Sequence, residues 1–143
     1  MKTQQLSIFL ENKPGALKHA IKALSDANVN IRAMSLADTE DFGILRLIAN
    51  DNNTAINALQ KFGFTVQLTD VVAVEVPDRP GGLYGILSIL SQKEINAEYA
   101  YAFISRSSDK AVTIFRFTRA DEAIELLTEK GVSIIPGERL YSM

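Results

Sequence analysis

Leu6, Ile8 and Leu10 alternate with Gln5, Ser7, Phe9 and Glu11, the two-residue period of a strand with one buried face. The period then lengthens. Leu17, Ile21 and Leu24, with Ala16, Ala20, Ala23 and Ala27 beside them, recur at helical spacing, which predicts an amphipathic helix ending near Asn28. Val29 to Ala37 and Phe42 to Ala49 read as two strands joined by the polar turn Asp38-Thr39-Glu40-Asp41, a hairpin. Asp51-Asn52-Asn53-Thr54 supplies capping side chains for a second helix with Ile56, Leu59 and Phe62 on one face, and Gly63 stands where such a helix stops. Phe64, Val66 and Leu68 alternate again as a fourth strand. The order strand, helix, strand, strand, helix, strand is the split βαβ, or ferredoxin-like, unit of α+β proteins.

The rest of the chain repeats the pattern. Val72, Val74 and Val76 make a strand; Leu83, Ile86, Leu87 and Leu90 a helix; Ile95 to Ser105 and Ala111 to Thr118 a hairpin; Ala123, Ile124, Leu126 and Leu127, closed by Gly131, a second helix; Val132 to Ile135 a last strand. Asn12-Lys13-Pro14-Gly15-Ala16-Leu17 returns sixty-six positions later as Asp78-Arg79-Pro80-Gly81-Gly82-Leu83, and Asn30 returns as Asn96 at the same offset. Arg46 and Arg116 stand seventy apart, so the second hairpin must be longer, and the run Arg106-Ser107-Ser108-Asp109-Lys110 supplies the length. We therefore expect two units, residues 1–69 and 70–136, followed by a tail, 137–143, without counterpart in the first copy. Units this small have marginal cores alone, and no Gly/Ser/Pro-rich linker separates them, so they are expected to share an interface.

The repeated hexapeptide reads as a strand passing through a turn directly into a helix. Pro14 and Pro80 suit the first helical position, where the missing N–H was an orphan anyway, and push Lys13 and Arg79 into extended conformation. Small residues behind each proline leave the first-turn amides of Gly15, Ala16 and Leu17, and of Gly81, Gly82 and Leu83, open to a carboxylate, with the helix dipole behind them. Asn12 or Asp78 stands beside that opening and can accept from an ammonium. Each copy thus reads as half of a pocket for a small zwitterion, an amino acid. An Asx before X-Pro also closes an Asx-turn in proteins that bind nothing, and duplication alone copies a structural cap.

Composition narrows the alternatives. Fifteen Lys and Arg against 17 Asp and Glu give a net charge of −2 and no basic cluster, which argues against nucleic acid. The sequence has no cysteine, hence no disulfide or thiolate chemistry. No signal-like stretch opens the chain and no apolar run reaches the ~20 residues of a membrane span, so a cytoplasmic location is expected. Neither a catalytic triad, a phosphate loop nor metal-ligand spacing can be assembled, and no cofactor is implied, so the chain does not read as an enzyme. Tyr99, Tyr101 and Phe103 make a period-two stripe that reads as sheet packing or dimerisation; His19 is expected to face solvent, and Arg46 and Arg116 a polar face.

A βαββαβ unit whose first strand ends in Asx-(Lys/Arg)-Pro-Gly-(small)-Leu and whose second strand opens on Asn-Ile or Asn-Ala resembles the ACT domain, and both halves do so. The resemblance implies a regulatory amino-acid sensor in which pairs of domains dock side by side with the effector between them. It places Asn12 and Asp78 at the ligand-facing Asx position, Gly15 and Gly81 at the family's glycine, and Asn30 and Asn96 where strand two reaches the ligand from a neighbouring domain. The implied ligand-binding set is Asn12, Pro14, Gly15, Ala16, Leu17, Asn30 and Ile31, with Asp78, Pro80, Gly81, Gly82, Leu83, Asn96 and Ala97. Some members carry a histidine two residues before the Asx, where this chain has Leu10 and Val76.

Most ACT modules are fused to an enzyme, and here there is no room for one. The expectation is a homodimer acting in trans on a partner enzyme of amino-acid metabolism. The charged Asp78 and the smaller Gly82 predict the tighter site at the second turn. The other reading is an adaptor whose pockets bind nothing, such as a small subunit resembling that of acetolactate synthase.

Overall fold

The computed structural model describes residues 1–103 and 110–143; the run Arg106 to Asp109 assigned to the second hairpin lies outside the described residues. The fold is α+β, built of two βαββαβ units. Contacts divide the chain into Gln4–Thr69 with Ser142, and Asp70–Tyr141 with Met1–Thr3 and Met143.

The first unit contains β1 (Thr3–Glu11), α1 (Ala16–Asp26), β2 (Ile31–Asp38), β3 (Phe42–Ala49), α2 (Asn52–Lys61) and the start of β4 (Thr65–Pro77). Its strands lie in the order β2-β3-β1-β4. β3 is antiparallel to both neighbours, with Leu6 opposite Leu47, Glu11 opposite Phe42 and Ile31 opposite Ala49. The alternating residues Leu6, Ile8 and Leu10 join Leu45 and Leu47 in a core closed by Ala20 and Leu24 of α1 and Leu59 of α2. The other face of β1 is not simply solvated: Gln5 and Ser7 are buried as well. They are satisfied in a chain, Gln5 Nε2 donating to Ser7 Oγ at 3.0 Å and Ser7 Oγ meeting Thr69 Oγ1 at 3.0 Å, which removes the cost of burying unpaired polar groups.

β4 is a single strand of 13 residues, so the fourth strand of the first copy and the first strand of the second are continuous. The second unit adds α3 (Gly82–Ser91), β5 (Ala97–Ala102), β6 (Lys110–Phe117), α4 (Ala120–Glu129), β7 (Ile134–Ile135) and α5 (Gly137–Ser142). β6 pairs antiparallel with β4 and β5. β7, expected over 132–135, is only two residues long, with Ile134 and Ile135 opposite Val74 and Ala73, although Glu75 N–H also donates to Ser133 O at 3.0 Å. Val72, Val74 and Val76 pack with Ile86, Leu90, Phe115, Phe117 and Leu127. The tail folds as α5, with Leu140 fully buried.

The helix ends show where side chains and backbone share the work. α2 is capped by Asp51, whose carboxylate accepts from Thr54 Oγ1 at 2.7 Å and Thr54 N–H at 3.1 Å. Gly63 and Gly131 terminate α2 and α4 with φ of 85° and 81°, the left-handed stop expected from sequence. α1 and α3 are followed instead by the left-handed non-glycine residues Asn28 (φ 59°) and Glu94 (φ 52°), at equivalent positions in the two copies. At its other end α3 lies against the strand that leads into it: a Cβ on Gly82 would stand 2.0 Å from the Pro77 carbonyl oxygen, whereas one on Gly85 meets nothing within 4 Å.

Two outcomes follow for denaturant unfolding. Gly82→Ala is expected to destabilise by about 1–3 kcal/mol through overpacking, whereas Gly85→Ala, in the same helix, stabilises by about 0.4–1 kcal/mol by reducing unfolded-chain entropy. The bonds from the Thr54 hydroxyl and then the Thr54 N–H hold the Asp51 carboxyl below its ordinary value. The folded state therefore favours the ionised form, and its contribution is complete above the ordinary aspartate range and lost as pH falls through the lowered folded value. The stability gap between wild type and Asp51→Ala, measured by urea melts across pH, should be widest near neutrality and narrow on acidification.

Candidate functional site

The two corners entering α1 and α3 have one backbone design. Lys13-Pro14-Gly15-Ala16 is a turn closed by the Ala16 N–H on the Lys13 carbonyl at 3.3 Å, and Arg79-Pro80-Gly81-Gly82 is closed by the Gly82 N–H on the Arg79 carbonyl at 3.0 Å. Gly15 (φ 87°, ψ −13°) and Gly81 (φ 85°, ψ −8°) are left-handed, which with proline before them is a type II turn. The helices start at Ala16 and Gly82, so Pro14 and Pro80 stand two residues ahead of the first helical position rather than on it. The Pro-Gly dipeptide decides this: proline fixes the second turn position, and only glycine takes the third without strain.

The turn also uses part of what it was expected to offer. The Ala16 and Gly82 amides are spent on closing it, which leaves Gly15 and Leu17, and Gly81 and Leu83, with N–H groups that have no main-chain acceptor among the described residues. Neither α1 nor α3 has a side-chain cap or an acidic residue in its first turn, whereas α2 has its Asp51 cap and α4 has Asp121 and Glu122. Among the described residues the first turns of α1 and α3 thus carry neither a capping side chain nor an acid of their own. Gly82 does not widen the second opening as expected; it is buried against Pro77.

Asn12 acts as a latch. Its backbone N–H donates to Asp41 O at 2.9 Å and its side-chain Nδ2 to Thr39 O at 3.1 Å, tying the corner to the β2–β3 turn. Asp78 carries no side-chain N–H and cannot repeat that bond. Asn30 and Asn96 have exposed side chains without hydrogen bonds among the described residues, while their main chains are pinned: Asn30 N–H donates to Asn50 Oδ1 at 2.9 Å, and Asn96 O accepts from Thr118 N–H at 3.1 Å. Ile31 and Ala97 are half-buried against the cores.

Within one unit, Asn12 and Asn30 are not brought together. Asn12 follows the residue opposite Phe42 and Asn30 precedes the residue opposite Ala49. All eight residues of β3 therefore lie between them, nine steps or roughly 31 Å at ~3.4 Å per residue. Asn30 and Ile31 line their own hollow of about 340 Å³ with Ile21, Leu24 and Asn28. The second turn borders another, of about 260 Å³, whose lining includes Gly81, Gly82, Gly85, Glu75 and Lys110. Glu75 and Lys110 were missed from sequence; the available signal was a lone charge in the apolar run Val71 to Val76.

The remaining candidates resolve simply. Arg116 donates to Asp70 O at 2.7 Å and pairs with Glu98 at 3.3 Å. Tyr101 and Phe103 are buried and Tyr99 half-buried, alternating with exposed Ala100 and Ala102, so the stripe packs on one face. His19 is exposed, yet its ring lies edge-on to Phe62 and Phe64, with centroids 5.7 and 5.2 Å away. Among the described residues no cluster of three His, Cys, Asp or Glu is placed to hold a metal, and no helix is long and apolar enough to cross a membrane.

Comparison with curated proteins finds no match. Among solved structures the chain is similar to protein BT0572 from Bacteroides thetaiotaomicron, with 38% identity, coverage of 100% of this chain and 98% of that one, and a TM-score of 0.93. It shares its fold with the regulatory subunit of aspartate kinase from Thermus thermophilus in its ligand-free form (14% identity, 88% and 91% coverage, TM-score 0.61). The same holds for a structure of aspartokinase alpha and beta subunits (18% identity, 87% and 90% coverage, TM-score 0.56). The family model described as an ACT domain pair matches residues 1–143. With the motif, the two βαββαβ units and this full-length match in agreement, the chain belongs to the ACT domain pair family.

Proposed function

We propose that this protein is a regulatory amino-acid sensor that works as a homodimer and modulates a partner enzyme of amino-acid metabolism in trans. The observation that carries the reading is the helix start built twice on a left-handed glycine, with free first-turn amides and no cap or acid of its own. An amino-acid carboxylate supplies the missing negative charge, and the adjacent Asx oxygen receives the ammonium. The turn of one ACT unit and the Asn30- or Asn96-type strand start of a unit in a second chain would together enclose the effector. Ile31 and Ala97 would line it with Leu17 and Leu83. Likeness to aspartate kinase regulatory subunits supports an amino-acid ligand and an enzyme partner.

The second turn is the stronger site. Asn12 Nδ2 is held by the hairpin carbonyls and its Oδ1 offers the ammonium a neutral acceptor, whereas the carboxylate of Asp78 offers a charged one. The tie from Asn12 Nδ2 to the hairpin also supports a second reading for the first turn, in which it is a structural corner and the protein an adaptor.

A thermal-shift screen against the twenty amino acids separates the two. Ligand at a hundredfold excess over its dissociation constant adds about 2.7 kcal/mol, a rise on the order of 10 °C for domains of this size. One or two amino acids should produce it, and Asp78→Ala should lose most of it with the fold intact. A flat screen of well-folded protein would leave the adaptor reading.

A further inference from the structure

We propose that Arg119 is a strap within the second unit. It holds the connection from α3 to β5 in a backbone conformation that the local sequence resists, and so acts as a positioning residue for Asn96. Asn96 belongs to an effector site only on the reading proposed above, whereas the strap stands on geometry alone.

The first observation is a backbone one. Both copies leave their first helix through a single left-handed residue, and the next N–H bonds back to the helix: Val29 N–H donates to Leu24 O at 2.9 Å and Ile95 N–H to Leu90 O at 3.1 Å. The first copy places Asn28 at the left-handed step (φ 59°), and asparagine is one of the few side chains enriched there. The second copy places Glu94 there (φ 52°), which has no such preference.

The second observation is that the residue before the following helix has changed as well. α2 and α4 are each 10 residues long, so their N-cap residues Asp51 and Arg119 are counterparts. Asp51 caps its own helix. Arg119 leaves α4 without a side-chain cap and turns instead to the α3–β5 connection, where its Nη2 donates to Lys93 O. Glu122 accepts from its Nη1 at 2.8 Å, which fixes the direction of the guanidinium. The neighbouring cations are engaged elsewhere, Lys2 with Asp121 at 3.2 Å and Arg116 with Glu98 at 3.3 Å. The residue that needs support and the residue that gives it therefore occur in the same copy.

Lys93 O belongs to the planar peptide that carries the Glu94 N–H. Arg119 holds that plane on one side of Glu94, and the bond from Ile95 N–H to Leu90 O holds the plane on the other. Both torsions of Glu94 are set between them. Asn96 O accepts from Thr118 N–H at 3.1 Å, so the strand start and the strap are tied to adjacent residues. The Arg119 and Glu122 side chains are 43% and 54% exposed, so the strap can release into water while the core stays closed. On release Glu94 leaves the left-handed region and Asn96 moves with it.

Native-state hydrogen exchange followed by amide NMR on the full chain tests the strap, with the first copy as internal control. Arg119→Ala should speed exchange at Glu94 and Ile95 about tenfold, the loss of one charged hydrogen bond. It should also shift the Asn96 backbone and side-chain amide signals while leaving exchange at Asn28 and Val29 unchanged. Adding Glu94→Gly to Arg119→Ala should return exchange and the Asn96 signals toward wild type, because glycine takes the left-handed step unsupported. Unchanged exchange in Arg119→Ala, an equal rise at Asn28 and Val29, or no recovery with Glu94→Gly overturns the proposal. No ligand enters these readouts. A flat amino-acid screen removes the sensor reading and leaves the strap; unchanged exchange removes the strap and leaves the sensor reading.

Discussion

A left-handed backbone position at the strand-to-helix corner governs each unit. With φ near 85° at Gly15 and Gly81, the chain reverses from strand to helix within a single type II turn. A side chain there costs about 1–2 kcal/mol in the left-handed region. Everything nearby inherits the geometry: where α1 and α3 begin, which amides are spent closing the turn, which remain available, and how Asn12 reaches the hairpin carbonyls. The corner is thus at once a folding element and a polar surface.

The two copies keep this backbone plan and differ in what fills it. Ala16 and Gly82 occupy the same place, but only the glycine permits contact with the preceding strand's carbonyl, so α3 seats more closely than α1 can. Asn28 and Glu94 take the same left-handed step, one with a side chain suited to it and one without. Phe9 and Glu75 begin from equivalent strand positions and give their surroundings opposite polarity. Duplication preserved the devices that depend on main-chain geometry, while side chains at equivalent places took on separate tasks.

Much of this organisation was legible because it is local. Two-residue alternation in Leu6 to Leu10, capping chemistry at Asp51 and the stops at Gly63 and Gly131 each depend on neighbours within a turn or a strand. The Pro-Gly corner was located but misread in detail, since proline suits both the first helical position and the second position of a type II turn, and the glycine after it decides between them. What sequence did not disclose depends on distant contacts. Gln5 and Ser7 sit on the polar side of the alternation yet are buried with Thr69 for company; β7 pairs over two residues where four were expected; Gly82 looks like an opening until Pro77 is placed against it. For the candidate site, the residues of the turn were visible as a motif, but the hollow around Glu75 required the helix, two strands and the loop after α4 to be assembled first.

Residues 1–3 group with Asp70–Tyr141 rather than with the strand they lead into. Lys2 pairs with Asp121 at 3.2 Å, and Gly137 lies where a Cβ would come within 3.4 Å of Lys2 O and Thr3 Oγ1. Residues 1–3 therefore find their place only against partners from the last quarter of the sequence. On a ribosome, Gln4–Thr69 emerges as a complete unit while the second is still being made, in keeping with domains folding in order of synthesis. Residues 1–3 then wait for the stretch from Asp121 to Gly137 to be made before these contacts can form, so this strand start is placed by a unit completed after its own.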